Sequence, residues 1–316
     1  MSVPLSILML TYNEEQNLER CLASLHGWAD DIVVVDSFST DRTLEIAARY
    51  GARVYQHAFD GHARQWLWGM RNLPFKHEWI FMHDPDHRAT PELKRELEAK
   101  FGKGFPADAD GIYVKRRNIF QRRWIRFGGY YPVWMLKIVR HRVVYFDEQE
   151  FDYRAYVPGR TFRLEHDIIE ENLKEEDMGF WIEKHNGFAT RQAAEELYRT
   201  AHPASWKTTP QFFGSPDQRT LWLKVKWYRL PLYLRPFLYF GYRYFLRLGF
   251  LDGGKGFIFH FMQAFWYRLL VDIKINQLKE TAQAARQPRG KGAGENIPLA
   301  AVDRGEVDGT RIQNPK

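Results

Sequence analysis

Short apolar runs and amphipathic stretches alternate through the first 100 residues of the chain. The apolar runs have strand length and are rich in β-forming residues; they cover 5–10, 31–36 and 79–82, with a shorter run at 53–57. Helical periodicity follows the first two runs, from Asn13 to Leu25 and from Arg42 to Tyr50. This alternation predicts an α/β domain with a mostly parallel sheet.

Two of the predicted helices begin with recognisable capping residues. Asn13 is expected to cap the first helix, with Gln16 in the position that completes a capping box. Thr90 and Pro91 predict a later helix start, because threonine accepts from free backbone N–H groups and proline suits the first helical position.

The pattern changes after residue 106. Residues 107–157 become β-rich, residues 168–199 have the periodicity of amphipathic helices, and residues 227–267 are aromatic and basic. Beyond residue 281 the composition is typical of a disordered tail. We therefore expect four regions: 1–106, 107–200, 201–281 and 282–316.

Polar clusters follow three of the predicted strands. They comprise residues 11–14, residues 36–41, and the pair Asp84 and Asp86 around Pro85. In a parallel sheet all three clusters lie at one edge, where ligands bind and helix N-termini favour phosphate. Carboxylate oxygens there suit Mg²⁺ or Mn²⁺ carrying a diphosphate. Helix capping and turn formation explain each cluster alone, but a nucleotide with a divalent metal explains the set better.

Composition restricts the class of protein further. The 316 residues are 45% hydrophobic and 27% charged, as in an ordinary globular protein. The net charge of +7 allows anionic partners. The chain has a single cysteine, Cys21, which excludes an internal disulfide and fits a reducing compartment. We expect Cys21 to be a core residue. The N-terminal residues show no signal-peptide pattern, so we expect a cytosolic protein.

The three polar clusters resemble the N-terminal signatures of inverting family-2 glycosyltransferases with the GT-A fold. Residues 128–132 (Gly-Gly-Tyr-Tyr-Pro) and 248–253 (Leu-Gly-Phe-Leu-Asp-Gly) are similar to bacterial enzymes that build lipopolysaccharide core or exopolysaccharide. The resemblance covers most of residues 5–280. It implies a Rossmann-like, mostly parallel central sheet with C-terminal amphipathic helices. Residues 1–106 would then bind the nucleotide sugar, 107–200 the acceptor, and 201–281 a membrane.

The resemblance also assigns site residues. The donor nucleotide would be bound by Thr11, Asn13, Glu14, Asp36, Ser37, Arg64 and Asp84. Asp36 would bond the base edge, and Asp84 would face the ribose and the metal. The divalent metal, Mg²⁺ or Mn²⁺, would be held by Asp84 and Asp86, with His166 completing the metal or diphosphate site; a structural role for His166 stays open.

The central motif departs from the family pattern. An apolar residue followed by Asp-Ala-Asp-Glu is usual, whereas this chain has His83, Asp84, Pro85, Asp86 and His87. Pro85 stiffens the loop, and His87 replaces a carboxylate. His83 and His87 are either softer metal ligands that favour Mn²⁺ or partly exposed loop histidines.

Inversion requires a carboxylate that takes the proton of the acceptor hydroxyl. The acidic segment 147–152 lies where related enzymes carry this base. Asp152 is our first choice, Glu148 and Glu150 remain open, and surface charge is the alternative for each of them.

Two basic, aromatic segments suggest partners. Arginines 116, 117, 122, 123 and 126 are interleaved with aromatic residues; they fit a phosphate-bearing acceptor, single-stranded nucleic acid or a solvated basic face. The segment from Trp227 to Tyr267 contains no run of eighteen apolar residues, so a spanning helix is not expected. Its arginines and aromatics favour an anionic membrane interface over a buried hairpin or an oligomer contact.

These observations predict a membrane-peripheral glycosyltransferase on the inner face of the plasma membrane. It would use a nucleotide sugar, with a UDP-sugar favoured, and a glycan or glycolipid acceptor of the lipopolysaccharide or exopolysaccharide type. The alternative is a catalytically impaired nucleotide-binding scaffold of a polysaccharide assembly complex. A nucleic-acid partner is not expected, because it leaves the crevice of three clusters unexplained.

Overall fold

The structure is a computed structural model that describes residues 3–104, 107–146, 154–202, 209–213 and 216–286. Its strands are β1 (Ser6–Thr11), β2 (Ile32–Asp36), β3 (Arg53–Gln56), β4 (Trp79–Met82), β5 (His87–Ala89), β6 (Ala109–Phe120), β7 (Arg123–Ile125), β8 (Val133–Arg140), β9 (Tyr145–Phe146), β10 (Ala155–Tyr156) and β11 (Arg160–Glu170).

The α-helices are α1 (Glu15–Leu25), α2 (Thr43–Arg49), α3 (His62–Asn72), α4 (Pro91–Lys103), α5 (Met178–Ala201), α6 (Pro216–Tyr228), α7 (Arg235–Gly241), α8 (Gly253–His260) and α9 (Tyr267–Arg286). Short 3₁₀ segments cover Leu173–Glu176 and Gly249–Asp252, and π-helical segments cover Tyr242–Leu246 and Phe261–Trp266.

One mixed sheet organises the first 170 residues, in the order β3-β2-β1-β4-β8-β6-β11-β5, with β7 paired to β6. Strands β1 to β4 form the parallel part that the sequence pattern predicts. Strand β8 runs antiparallel to β4 and β6, and β5 runs antiparallel to β11. The predicted α/β fold class is therefore confirmed, with antiparallel insertions on one side of the sheet.

Apolar side chains cover both faces of this sheet. Leu22 and Leu93, from α1 and α4, are buried in the core on one face, and Trp66, from α3, is buried in the core on the other. Within β2, Val34 belongs to the first core and Val33 to the second. This explains the continuous apolar run of that strand, because helices shield it on both sides.

Two helix starts test the capping predictions. Thr90 accepts a hydrogen bond from Leu93 N with Pro91 at the first position of α4, as predicted. The capping box at Asn13 is wrong: Glu14 precedes α1 without a side-chain cap, and Asn13 has a left-handed φ of 51°. The side chain of Asn13 instead accepts from Thr40 N at 2.8 Å, which ties the first polar loop to the second.

The C-terminal helices pack on α5 and present another surface to solvent. Arg235 is buried between Glu196 of α5 and Asp272 of α9, at 2.5 Å from an oxygen of each. Helix α9 extends to Arg286, so the predicted tail boundary at 281 falls inside a helix, and residues 287–316 lie outside the described residues. Of the helices in the described ranges, none combines the length and apolar content that a bilayer crossing requires.

A polar clamp joins these helices to the loop after β7. Asp252 accepts from the backbone N–H groups of Arg126 and Phe127, both at 3.0 Å. His260 packs against Gly128, where a Cβ would approach the imidazole to 2.0 Å and where φ is +68°. Only glycine fits this position, which explains one of the glycines in the 128–132 motif.

Candidate active site

A tight turn fixes the two aspartates beyond strand β4. The N–H of His87 donates to the carbonyl of Asp84 at 3.0 Å, with Pro85 at the second position of the turn. Strand β5 then pairs with β11, which places His87 opposite Glu170, and Glu171 N donates to Asp86 O at 2.9 Å. The turn predicted for this motif is thus confirmed, and its role as a site stays a prediction.

A β-bulge aims Lys137 into the crevice. In the pairing of β6 with β8, Ile112 faces Ile138 and Tyr113 faces Leu136, so Lys137 is the extra residue. Bulges commonly redirect a side chain in this way. The Lys137 ammonium forms an ion pair with Asp84. Burial opposes ionisation of Asp84, but Lys137 outweighs it and lowers the pKa of Asp84 to about 2.

Glu170 is the third carboxylate at this edge, and we call Asp84, Asp86 and Glu170 the acidic cluster. Arg116 Nη1 donates to Glu170 Oε2 at 2.7 Å, and His87 Nε2 lies 3.0 Å from the same oxygen. Burial is again outweighed, so these neighbours hold the pKa of Glu170 well below its usual range. Asp84 and Glu170 are therefore both ionised and both compensated.

Asp86 lacks such compensation. Among the described residues its ion-pair contact is His87, at 3.8 Å, while its side chain remains 22% exposed. Burial, together with the charges of Glu170 and Asp84, raises the pKa of Asp86 to about 6. Lys184 contributes a positive charge nearby but is paired with Glu175 at 2.6 Å. The cluster consequently has a carboxylate that an added cation would stabilise.

The donor set fits a divalent cation that arrives with a ligand. Within the part of the chain that the structure describes, no three His, Cys, Asp or Glu side chains form a ready-made metal ligand set. Mg²⁺ sites of transferases commonly use one or two carboxylates together with substrate phosphates, rather than an all-protein cage. Asp86, with Asp84 beside it, satisfies that requirement with hard oxygen donors.

The two histidines of the motif are interior residues. His83 is fully buried and His87 is almost so, which rules out the partly exposed loop histidines considered from sequence. The Nδ1 of His83 lies 3.4 Å from the Cys21 sulfur. Burial lowers the pKa of His83 to about 3, so His83 is neutral and serves as core below the turn.

The loops after β1 and β2 are bonded to each other around Asp36. Its carboxylate accepts from Thr11 Oγ1 at 2.9 Å and from Ser39 N at 2.8 Å. Asn13 N donates in turn to Ser39 Oγ at 2.9 Å. Because Asp36 is fully buried, its oxygens hold these loops together. The expected contact of Asp36 with a base edge stays a prediction, and the structure gives the residue a positioning role.

Two other residues predicted to bind the donor nucleotide lie at the same edge. Glu14 accepts from Lys174 Nζ at 2.6 Å, and Ser37 Oγ accepts from Gln65 at 3.2 Å. Phe38, between these loops, is more than half exposed with a left-handed φ of 60°. The ring of Phe38 therefore offers an exposed aromatic face at this edge of the sheet.

Arg64 and His166 have partners outside the acidic cluster. Arg64 is an exposed residue in the first turn of α3 that pairs with Asp60 at 3.0 Å, and its role in donor binding stays a prediction. His166 lies four residues before Glu170 on β11, roughly 13 Å away along an extended strand, and its Nδ1 contacts Glu96 of α4 at 2.9 Å. The prediction that His166 completes the metal site is wrong, because strand pairing brings Glu170 to Asp86 instead. Asp152, Glu148 and Glu150 lie outside the described residues.

Glu170, Lys137 and Phe38 are the site residues that sequence reasoning missed. Glu170 and His87 are 83 positions apart and meet only through the antiparallel β5 pairing. Lys137 sits in an ordinary alternating strand pattern, so nothing in the sequence indicates the bulge. Phe38 alone carried a local signal, since an aromatic residue within a polar turn is exposed.

The parallel edge with its crossing loops, and the acidic cluster beyond it, are the arrangement expected of a GT-A glycosyltransferase domain. The model of glycosyl transferase family 2 matches residues 6–161, and this part of the chain belongs to that family. The predicted family and fold are thereby confirmed.

Relatives match part of the chain. An uncharacterized glycosyltransferase of Rickettsia bellii (strain RML369-C) is 35% identical over 97 residues, or 31% of this chain and 32% of the relative. A 4,4'-diaponeurosporenoate glycosyltransferase of Staphylococcus haemolyticus is 35% identical over 65 residues, covering 20% and 17% of the two chains. The aligned part thus spans about a third, or less, of these relatives' length.

One solved structure aligns with most of the chain. A mannosyltransferase of Pyrobaculum calidifontis, solved with GDP-Man and Mn²⁺, covers 88% of each chain at 15% identity with a TM-score of 0.45.

The charge balance predicts opposite effects for two substitutions. Lys137→Met leaves Asp84 without its cation, so we expect the free energy of unfolding at pH 7 to fall by about 1–3 kcal/mol. Asp86→Asn removes a carboxylate that its neighbours repel, so stability should stay within about 0.5 kcal/mol or rise. Urea unfolding measures both. The exposed substitution Glu165→Gln serves as the control, and a larger loss for Asp86→Asn than for Lys137→Met would contradict this balance.

Proposed function

We propose that this protein transfers a sugar from a nucleotide-sugar donor to a glycan or glycolipid acceptor, with inversion. The observation that carries the proposal is the uncompensated Asp86 beside two compensated carboxylates at the ligand-binding edge of a family 2 domain. A diphosphate alone would be repelled by three carboxylates, whereas a diphosphate with a divalent cation supplies the positive charge that Asp86 lacks.

The residues at the edge have distinct roles in this proposal. Asp86 and Asp84 hold the divalent cation, Mn²⁺ or Mg²⁺, which when bound neutralises the charge that develops on the leaving diphosphate. Lys137 and Arg116 keep Asp84 and Glu170 ionised and fixed in position. The exposed ring of Phe38 offers a face on which the nucleotide base stacks. A UDP-sugar is the favoured donor, on the resemblance of the first two motifs.

The acceptor proton goes to a carboxylate of the segment after β9, and Asp152 is our assignment. Asp152→Asn keeps the size of the side chain but cannot accept the proton, so acceptor-dependent transfer should fall by roughly 10²–10⁴. Donor binding should not change. The measurement is release of nucleoside diphosphate from a panel of nucleotide sugars, with and without a lipopolysaccharide acceptor preparation, alongside donor binding by thermal shift.

Glu148→Gln and Glu150→Gln are the matched controls for this substitution. If Asp152→Asn is active and Glu148→Gln or Glu150→Gln is inactive, the base is the glutamate changed in the inactive variant. Donor binding without release by the unmodified chain, for every sugar and acceptor tested, would support the non-catalytic scaffold instead.

Membrane association is the second part of the proposal, and an apolar shelf supports it. The shelf consists of exposed large side chains on the C-terminal helices: Leu234, Phe237, Leu238, Phe245, Leu246, Leu248, Phe250, Leu251, Phe257, Ile258 and Phe261. Several rings are in mutual contact around Phe240, with centroids 5.2 to 6.5 Å apart. A patch of this kind marks an interaction surface.

Charge favours an anionic lipid surface as the partner of the shelf. Between residues 218 and 279 the chain has two acidic residues, Asp252 and Asp272, and both are buried in contacts already described. Arg235 is buried in its ion pair with Asp272; the other basic residues of this range are Arg219, Lys224, Lys226, Arg229, Arg243, Arg247, Lys255, Arg268, Lys274 and Lys279. Each basic residue near an anionic leaflet contributes about 1 kcal/mol. The site would then face the inner surface of the plasma membrane.

The shelf predicts a specific loss of binding. Phe245→Ser with Leu246→Ser removes two of its most exposed side chains, at 60% and 76% exposure, and should lower liposome binding at least about tenfold, because each such side chain contributes about 1.5–3 kcal/mol when buried. Flotation with anionic liposomes measures the effect. Phe59→Ser, an exposed ring before α3, is the control. Binding that ignores lipid charge and salt would contradict an electrostatic contribution.

A further inference from the structure

A row of cations and aromatic rings lies on β6, β7, β8, β11 and the loop after β7. We call it the cation–aromatic strip, and it comprises Lys115, Arg117, Arg126, Arg163, Trp124, Tyr131 and Trp134. The Arg163 guanidinium lies 5.3 Å from the Trp134 ring, and Lys115 Nζ lies 5.5 Å from the same ring and 5.7 Å from that of Tyr131. The ring of Tyr131 contacts that of Trp124 at 5.0 Å.

Two arginines share the ring of Trp124. The guanidinium carbons of Arg117 and Arg126 lie 5.1 and 5.4 Å from its centroid. The ring attracts each of the two guanidinium groups. Both groups have N–H donors from which an anion bound beside Trp124 would accept hydrogen bonds.

The cations of the strip outnumber the carboxylates that pair with them. Asp167, buried beneath it, accepts from Arg117 Nε at 2.7 Å and lies 3.7 Å from Lys115. Tyr131 Oη also donates to Asp167, at 3.1 Å. Arg126 and Arg163 are exposed, and within the described ranges neither pairs with a carboxylate. The four cations therefore have one carboxylate among them.

The strip adjoins the apolar shelf. The backbone N–H of Arg126 donates to Asp252, which directly follows the shelf residues Phe250 and Leu251. Arg116 and Arg117 are successive residues of β6, so their side chains point to opposite faces of the sheet: Arg116 reaches Glu170, and Arg117 reaches Asp167.

We propose that the cation–aromatic strip is a binding site for an anionic sugar, bearing phosphate or carboxylate, in the acceptor. The inference rests on the proposed function, since it places the charged part of a lipid-linked glycan next to the membrane shelf. Single-stranded nucleic acid fits less well, because the ring faces that would stack on bases are covered by cations.

Ligand-observed NMR titration of the full chain tests the site without requiring turnover. The probes are glucose, glucose 6-phosphate, glucuronate and a short oligothymidylate, with excess UDP and the diamagnetic Mg²⁺ to occupy the donor edge. Both anionic sugars should bind at least about tenfold more tightly than glucose, because charge-assisted hydrogen bonds are about twice as strong as neutral ones. Arg126→Gln and Arg163→Gln should each weaken the anionic probes about three- to tenfold.

Arg122→Gln is the matched control. It removes the same charge from the same hairpin, but Arg122 is 77% exposed, pairs with Glu176 and contacts no ring of the strip. Equal losses for Arg122→Gln and Arg126→Gln would indicate diffuse charge and overturn the site, as would equal binding of glucose and its anionic relatives. Tighter binding of the oligothymidylate, lost in the same variants, would assign the strip to nucleic acid. A failed donor screen alongside normal sugar titrations would reject the donor proposal and leave the site standing.

Discussion

The ion pair between Lys137 and Asp84 sets the charge balance on which the crevice depends. Three carboxylates converge at one edge of the sheet, and like charges at this distance resist common ionisation. Lys137, delivered by a bulge, compensates Asp84, and Arg116 compensates Glu170. The deficit is thereby confined to Asp86, which is still partly open to solvent. Asp86 is therefore the carboxylate at which we propose that a cation binds.

The protein presents three surfaces of different chemistry. The acidic cluster lies at the carboxyl ends of the strands, the cation–aromatic strip occupies β6 to β8 and β11, and the apolar shelf lies on the C-terminal helices. Asp252 and His260 bind the middle surface to the last one through the loop at Gly128. In our proposal, a diphosphate, an anionic sugar and a lipid would each bind the surface that complements it.

Local sequence signals predicted the parts of this arrangement that depend on neighbouring residues. The strands β1, β2 and β4, the Thr90 cap and the shared edge of three polar clusters follow from periodicity and turn chemistry. Glu170 could not be predicted, because it reaches Asp86 through pairing between distant strands. The same pairing explains the error at His166. Histidine is a common metal ligand, but His166 lies too far along β11 from Glu170 and contacts Glu96 instead. Asn13 failed as a cap because its side chain bonds across to Thr40.

Binding of Mn²⁺, followed by electron paramagnetic resonance, tests the central claim that Asp86 needs a cation brought with a diphosphate. The account predicts weak binding of Mn²⁺ alone, binding at least about tenfold tighter with a nucleoside diphosphate present, and loss of that enhancement in Asp86→Asn. An Mn²⁺ affinity that is the same with and without nucleoside diphosphate, or that survives Asp86→Asn, would contradict it.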